Sequence, residues 1–108
     1  MNNEKLNTAL YQTMEREQDK YRKWLVQCPP EEILSHAYEY AVCEDILMAM
    51  EELNLPDDQA MALLKQRGPL DDVFKDFKLE TDYMETVRGA IELCAERKAA
   101  KEQNREVR

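Results

Sequence analysis

The positions of proline and glycine limit the possible folds of this chain more than any other feature. All four prolines and the first of the two glycines fall at three breaks, Pro29-Pro30, Pro56 and Gly68-Pro69. Proline cannot continue a helix beyond its first turn, and glycine often closes one, so these breaks separate helical segments. Between the breaks, apolar residues recur three or four positions apart, a spacing typical of helices that bury one face. The chain is therefore predicted to be all-α.

The breaks and the apolar spacing together predict a compact bundle of three long helices and a short helical pair. The long helices are predicted over residues 3–27, 30–53 and 82–100, and the short pair over residues 57–67 and 70–79. We expect the inward stripes of these helices to form one core. The predicted core residues are Leu10, Trp24, Leu34, Tyr38, Ala41, Met48, Leu64, Phe74, Phe77, Val87 and Ile91.

A chain of 108 residues is long enough for one domain. We predict a single helical domain over residues 1–95 and a charged, frayed helical tail over residues 96–108, where the apolar signal fades. No leader sequence or membrane-spanning apolar run is visible, and the three cysteines form no C-x-x-C pair. These features predict a cytoplasmic protein with reduced thiols and no contact with a membrane.

Negative charge is concentrated in one predicted helix. The net charge is −8, and residues 29–53 contain seven carboxylates and neither lysine nor arginine. These residues are Glu31, Glu32, Glu39, Glu44, Asp45, Glu51 and Glu52. Direct nucleic-acid binding needs clustered basic side chains, so this charge disfavours it and favours a basic protein surface as the partner.

Several stretches resemble a known family. These are the run PPEEILSHAYEY at residues 29–40, the run EDILMAME at residues 44–51 and the run PLDDVF at residues 69–74. They resemble a family of small bacterial proteins of unknown function from Firmicutes and Clostridia, often in mobile-element surroundings. The family has no assigned activity, so the resemblance implies no catalytic residue. It implies a bacterial cytosolic origin and makes an anti-defence role worth considering.

The charge pattern leads to the hypothesis of a non-catalytic interaction module or inhibitor. The residues predicted to contact its partner are Tyr40, Glu44, Leu47, Met50 and Glu51. An alternative is that Leu47 and Met50 pack beneath the short helical pair, and a homodimer formed through the same apolar segment is also open. A narrower alternative is an anti-defence protein of the anti-CRISPR or DNA-mimic type that blocks a nucleic-acid-binding effector.

Asp45 interrupts the predicted inward stripe of the second helix. A carboxylate among apolar neighbours is costly unless it has a partner. Arg88 lies beside the apolar stripe of the last helix, so it could turn inward. We predict that Asp45 is buried in a structural polar pair with Arg88 or caps the start of a neighbouring helix. The functional alternative is that Asp45 contacts a partner.

Metal binding and catalysis form the remaining alternative, and the sequence supports it weakly. Glu32, His36, Glu39 and Cys43 lie on one side of the second helix, but no further His or Cys completes a tetrahedral zinc site. His36 and Cys43 are about 10 Å apart along a straight helix, too far for a catalytic pair. We therefore predict no metal, no cofactor and no enzymatic activity.

Overall fold

The computed structural model describes residues 3–80 and 82–106, with side chains as far as residue 103. Within these ranges the chain forms five helices and no strand. The helices are α1 (Asn3–Leu25), α2 (Pro30–Glu52), α3 (Asp57–Leu64), α4 (Pro69–Glu80) and α5 (Tyr83–Glu106). The all-α prediction is confirmed, and each predicted helix overlaps an observed one. The largest differences are at two ends, because α3 stops at Leu64 and α5 continues to Glu106.

The helices belong to two compact units, Met1–Phe77 and Lys78–Arg108. The first unit contains α1, α2, α3 and most of α4. The second unit consists mainly of α5. The predicted division of the chain near residue 95 stays a prediction, and that position lies inside α5. None of the described helices is both long and apolar enough to cross a bilayer.

Helix α1 organises the first unit through a regular stripe. Leu6, Leu10, Met14 and Gln18 follow one another at intervals of four residues, and all four are buried. Side chains at this spacing lie above one another on one face of a helix. Because α1 contacts both α2 and α3, this stripe is the surface on which α2 and α3 assemble.

The core brings residues from the first four helices together. Its buried members are Leu6, Leu10, Met14, Cys43, Leu47, Met50, Ala60, Leu70 and Phe74. Helices α1 and α2 contribute three residues each, and α3 contributes only an alanine. A core of this size is modest, so polar contacts between helices add to the stability of the unit.

One such contact joins α1 to the turn between α2 and α3. The side-chain amide of Asn7 donates to the carbonyl of Leu55, and the Leu55 N–H donates to Asn7 Oδ1, each at 2.9 Å. Asn3 also donates to the Leu55 carbonyl. The backbone of this turn is therefore held by side chains about 50 residues earlier in the chain.

Glu17 makes a second long-range contact, with the start of α4. Its two carboxylate oxygens accept hydrogen bonds from the N–H groups of Leu70 and Asp71, at 2.9 and 3.0 Å. The first N–H groups of a helix have no partner within the helix, and a carboxylate there also interacts well with the helix dipole. A side chain on α1 thus caps α4. The approach is close, since a Cβ at Gly68 would lie 3.0 Å from Glu17 Oε2.

The predicted core is correct for few of its members. Leu10 and Phe74 are buried, and Leu64 and Val87 are partly buried. The prediction is wrong for the exposed residues Trp24, Leu34, Tyr38, Ala41, Met48, Phe77 and Ile91. The main reason is that α2 itself has apolar residues on every side, so their spacing does not identify which side is buried. At ~100° per residue, the side of α2 that is buried lies about half a turn around the helix axis from the side that was predicted to be buried.

Asp45 and Arg88, predicted as a buried polar pair, belong to different compact units, and their pairing stays a prediction. Asp45 is exposed, because it lies on the side of α2 that points away from the core. Arg88 is exposed as well, and its guanidinium lies 3.7 Å from the carboxylate of Glu85, one turn earlier in α5. Within its own unit, each of the two residues is exposed.

The second unit consists mainly of one long helix with most of its apolar residues exposed. Met84, Ile91 and Leu93 are exposed, with Ile91 at 63%. Asp82 precedes the helix, and its carboxylate accepts a hydrogen bond from the N–H of Glu85 at 2.9 Å. This contact caps the first turn of α5.

Candidate functional site

The residues predicted to contact a partner lie on the side of α2 that faces α1. Leu47 and Met50 are only 8% exposed and belong to the core. They therefore fit the alternative in which they pack inside the unit, because a partner cannot reach buried side chains. We call the side of α2 formed by Cys43, Leu47 and Met50 its inner face.

The polar members of the predicted contact set are engaged with α1. Gln18 Nε2 donates to the Tyr40 carbonyl at 3.2 Å and to the Glu44 carboxylate at 3.1 Å. The Tyr11 hydroxyl donates to the Glu51 carboxylate at 3.1 Å. Glu44 and Glu51 remain exposed, but these contacts give both of them a structural role at the edge of the α1–α2 contact.

The opposite side of α2 is a continuous exposed stripe, which we call the outer face. Leu34 and Met48 are 76% and 65% exposed there. The residues of the stripe are three or four positions apart and lie within about 80° of one another around the helix. Its members are Leu34, Ala37, Ala41, Asp45, Met48 and Glu52, all exposed.

The carboxylates of the outer face are not neutralised locally. Within residues 3–80 and 82–103, Asp45 and Glu52 take part in no hydrogen bond or ion pair through their side chains. Three pairs formed by lysine or arginine, Lys23–Asp19, Lys75–Asp71 and Arg88–Glu85, join residues of the same helix. The outer face thus combines exposed apolar surface with free negative charge.

One side of α2 carries Glu32, His36, Glu39 and Cys43, the weak candidates for zinc binding, and it contacts aromatic residues of α1. The His36 ring lies edge-on to Trp24 and Tyr21, with ring centroids 5.4 and 6.2 Å apart, and His36 Nδ1 is 3.6 Å from Glu39 Oε2. Among the described side chains, no three His, Cys, Asp or Glu residues are placed to hold a metal ion. His36 belongs to an aromatic cluster between α1 and α2.

A cavity of about 180 Å³ lies between α1, α2 and α4. We call it the Gln18 cavity, and it is lined by Glu17, Gln18, Tyr21, Glu39, Cys43, Leu70 and Asp71. Gln18 is 4% exposed, and the Tyr21 hydroxyl donates to Glu39 Oε2 at 3.1 Å. Carboxylates approach this cavity from α1, α2 and α4, and none of its described lining residues is lysine or arginine.

The Cys43 thiol and the Tyr21 hydroxyl, which line the cavity, both have a raised pKa. Burial, together with the nearby carboxylates of Glu39, Asp71, Glu17 and Glu44, raises the pKa of the Cys43 thiol to about 12. Burial and the hydrogen bond to Glu39 raise the pKa of Tyr21. A nucleophilic cysteine needs a lowered pKa, so the surroundings of Cys43 do not activate it.

Residues 6–99 match the family described as "Protein of unknown function (DUF3848)". The chain belongs to this family. The DUF3848 match begins at Leu6, the first buried residue of α1, and ends within α5, so it includes residues of both compact units. No curated protein and no solved structure matches the chain.

Sequence reasoning missed the roles of Glu17 and Gln18. Both interrupt the apolar stripe of α1, and Gln18 continues its four-residue spacing after Leu6, Leu10 and Met14. A polar residue at a core position signals a partner across the fold. The partners, Tyr40 and Leu70, are 22 and more residues away, and one sequence does not identify them.

Proposed function

We propose that this chain is a non-catalytic, acidic interaction module whose α2 outer face binds a basic protein surface. The observation that carries the proposal is the coexistence, on one exposed stripe, of Leu34 and Met48 with the free carboxylates of Asp45 and Glu52. Helix α2 contains no lysine or arginine to neutralise them.

The two kinds of side chain have different roles in such a complex. Apolar residues that become buried at the centre of an interface supply most of its affinity. Charged residues at the rim accelerate encounter with an oppositely charged surface and select against acidic proteins. Leu34 and Met48 are the proposed anchors, while Asp45 and Glu52 steer the partner.

The proposed contact set therefore differs from the one predicted from sequence. Leu34 and Met48 replace the buried Leu47 and Met50 as apolar contacts. Asp45, predicted to be buried, becomes a partner contact. The protonated state of Cys43 and Tyr21 supports the non-catalytic part of the proposal, because neither group is activated as a nucleophile or base at neutral pH.

Affinity capture from the lysate of the source organism tests this proposal with a matched pair of double variants. Leu34→Ser with Met48→Ser removes the outer anchors. Val26→Ser with Leu79→Ser removes the same kind of exposed apolar surface elsewhere. We expect the unmodified chain and the control to retain one specific basic protein at low salt and to release it at high salt. The outer-face variant should retain little of it.

Two results would count against the proposal. One is the absence of a specific partner at either salt concentration. The other is equal retention by the two double variants, which would mean that the partner binds elsewhere than at the outer face.

Adding duplex DNA to the same capture tests the narrower anti-defence hypothesis. Under that hypothesis, we expect the captured protein to release the chain and bind the DNA.

A further inference from the structure

Helix α5 has an apolar stripe that nothing in its own unit covers. The stripe consists of Met84, Val87, Ile91 and Cys94, which lie within about 80° of one another around the helix. Met84 and Ile91 are 55% and 63% exposed, Cys94 is exposed and Val87 is partly buried. Besides α5, the described part of the second unit contains only the end of α4. Any surface that covers the stripe therefore comes from outside this unit.

The spacing within the stripe is that of a coiled-coil seam. Successive members are three, four and three residues apart, and such alternating steps repeat every seven residues. Met84 and Ile91 occupy one of the two seam positions of this heptad, and Val87 and Cys94 occupy the other. A helix that packs on a globular core has a wider apolar stripe, whereas a narrow seam fits the seam of another helix. The stripe of α5 therefore favours a single helix as its partner.

The charges of α5 fit a second copy of the same helix that runs in the opposite direction. Residues 82–92 contain three acidic side chains and one basic side chain, whereas residues 93–103 contain two acidic and three basic ones. Lys98 and Lys101 continue the seam beyond Cys94 at the same spacing. A parallel pair would place each of these lysines against its own copy, and like charges repel. In an antiparallel pair, the basic end of each helix lies beside the acidic start of the other.

We propose that α5 pairs with α5 of a second copy of this chain as a two-fold symmetric, antiparallel coiled coil. With Ile91 of one copy opposite Val87 of the other, Met84 lies opposite Cys94. The seam then has four apolar layers, and Lys98 of each copy lies next to Asp82 at the start of the other helix. Two heptads are fewer than the roughly three or four usual for a coiled coil. We therefore expect a weak dimer that dissociates on dilution.

Sedimentation equilibrium of the full chain under reducing conditions tests the dimer. We expect the average mass to rise from that of one chain towards that of two as the concentration increases. Ile91→Ser removes one seam side chain from each copy and should raise the dissociation constant by about a hundredfold. Leu93 is 48% exposed on another side of α5, so Leu93→Ser is the matched control. It should change the dissociation constant by no more than about twofold.

Disulfide trapping with oxidised glutathione tests the direction of the two helices, in a chain with Cys28→Ser. In the antiparallel pair, the two copies of Cys94 are ten residues apart along the helix axis, about 15 Å, which is too far for a disulfide. Met84→Cys places a thiol opposite Cys94 of the other copy and should give covalent dimers. Met84→Cys combined with Cys94→Ser is the control, and it should give none.

Three results would overturn the proposal. Efficient crosslinking through Cys94 without the Met84→Cys change would indicate a parallel pair. A chain that stays monomeric at every concentration, with Ile91→Ser less stable than Leu93→Ser, would mean that the same chain covers the stripe. A monomeric chain that loses a lysate partner on Ile91→Ser alone would mean that another protein covers it. The variant Leu34→Ser with Met48→Ser leaves α5 unchanged, so the dimer and the proposed function of the outer face fail or succeed separately.

Discussion

The two faces of α2 contain similar residues and have opposite environments. The inner face places Cys43, Leu47 and Met50 against the stripe of α1, whereas the outer face leaves Leu34 and Met48 exposed. Hydrophobicity alone does not distinguish them. What distinguishes them is the partner surface, because α1 has one well-defined apolar stripe and α2 has apolar residues on every side. The orientation of α2 is thus determined by α1.

Truncating one side chain on each face should produce the largest difference between the inner and outer faces. Leu47→Ala should lower the free energy of unfolding by about 2–5 kcal/mol, because it opens a cavity in the core. Met48→Ala should change it by less than about 0.5 kcal/mol, as at most exposed positions. Urea denaturation measures both values. Equal losses would mean that the outer face is packed in the folded protein.

A smaller effect tests whether the cap that Glu17 of α1 provides at the start of α4 stabilises the first unit. Glu17→Ala removes both acceptors at the start of α4 and should cost about 1–2 kcal/mol, the usual range for loss of a helix cap. Glu15→Ala, at an exposed position of α1, is the matched control and should change stability by less than about 0.5 kcal/mol. If the two variants unfold at the same urea concentration, the cap does not stabilise the fold.

The inner face should also show a characteristic pH dependence. Burial and nearby carboxylates raise the pKa of Cys43 from 9.0 to about 12. Between these values the unfolded chain releases this proton while the folded chain keeps it. Stability from this group is therefore complete below pH 9 and is lost as pH rises toward 12, by up to roughly 1.4 kcal/mol per pH unit.

Unfolding curves across this pH range check the Cys43 effect. Cys43→Ala should flatten the decline, although Tyr21 and other groups with a raised pKa keep part of it. Cys94→Ala is the control, because Cys94 is exposed, and its decline should match that of the unmodified chain. If the free energy of unfolding of Cys43→Ala still fell steeply with rising pH, groups other than Cys43 would be its cause.

The smallest expected effect distinguishes the outer face from the predicted buried pair. Breaking a buried ion pair costs about 3–5 kcal/mol. Because Asp45 is exposed, Asp45→Asn should change the unfolding free energy by less than about 0.5 kcal/mol. Thermal or urea unfolding measures this difference. A loss of several kcal/mol would restore a structural role for Asp45.

The sequence predicted the helices well because local signals determine where they end. Pro30 opens α2, Pro56 precedes α3, and Pro69 opens α4 close to the predicted positions. The stripe of α1 was also predictable from its spacing. These features depend on residues within one or two turns of each other.

The orientation of α2 and the partners of Glu17 and Gln18 were not predictable in the same way. Leu34, Ala41 and Met48 form as regular a stripe as the residues that are buried, so the choice between faces depends on contacts made elsewhere. Glu17 reaches N–H groups more than 50 residues away. Long-range pairing of this kind leaves only a polar residue in an apolar stripe as its trace in the sequence.

The clamp between Asn7 and Leu55 has a consequence for the dynamics of the chain. Leu55 lies in a turn, and backbone N–H groups of turns usually exchange with solvent through small local openings. Its N–H donates to a side chain on α1, so exposing it requires α1 to separate from the α2–α3 turn. We expect the Leu55 amide to exchange with deuterium about as slowly as amides in the middle of α1, so that one turn residue reports on the opening of the whole first unit.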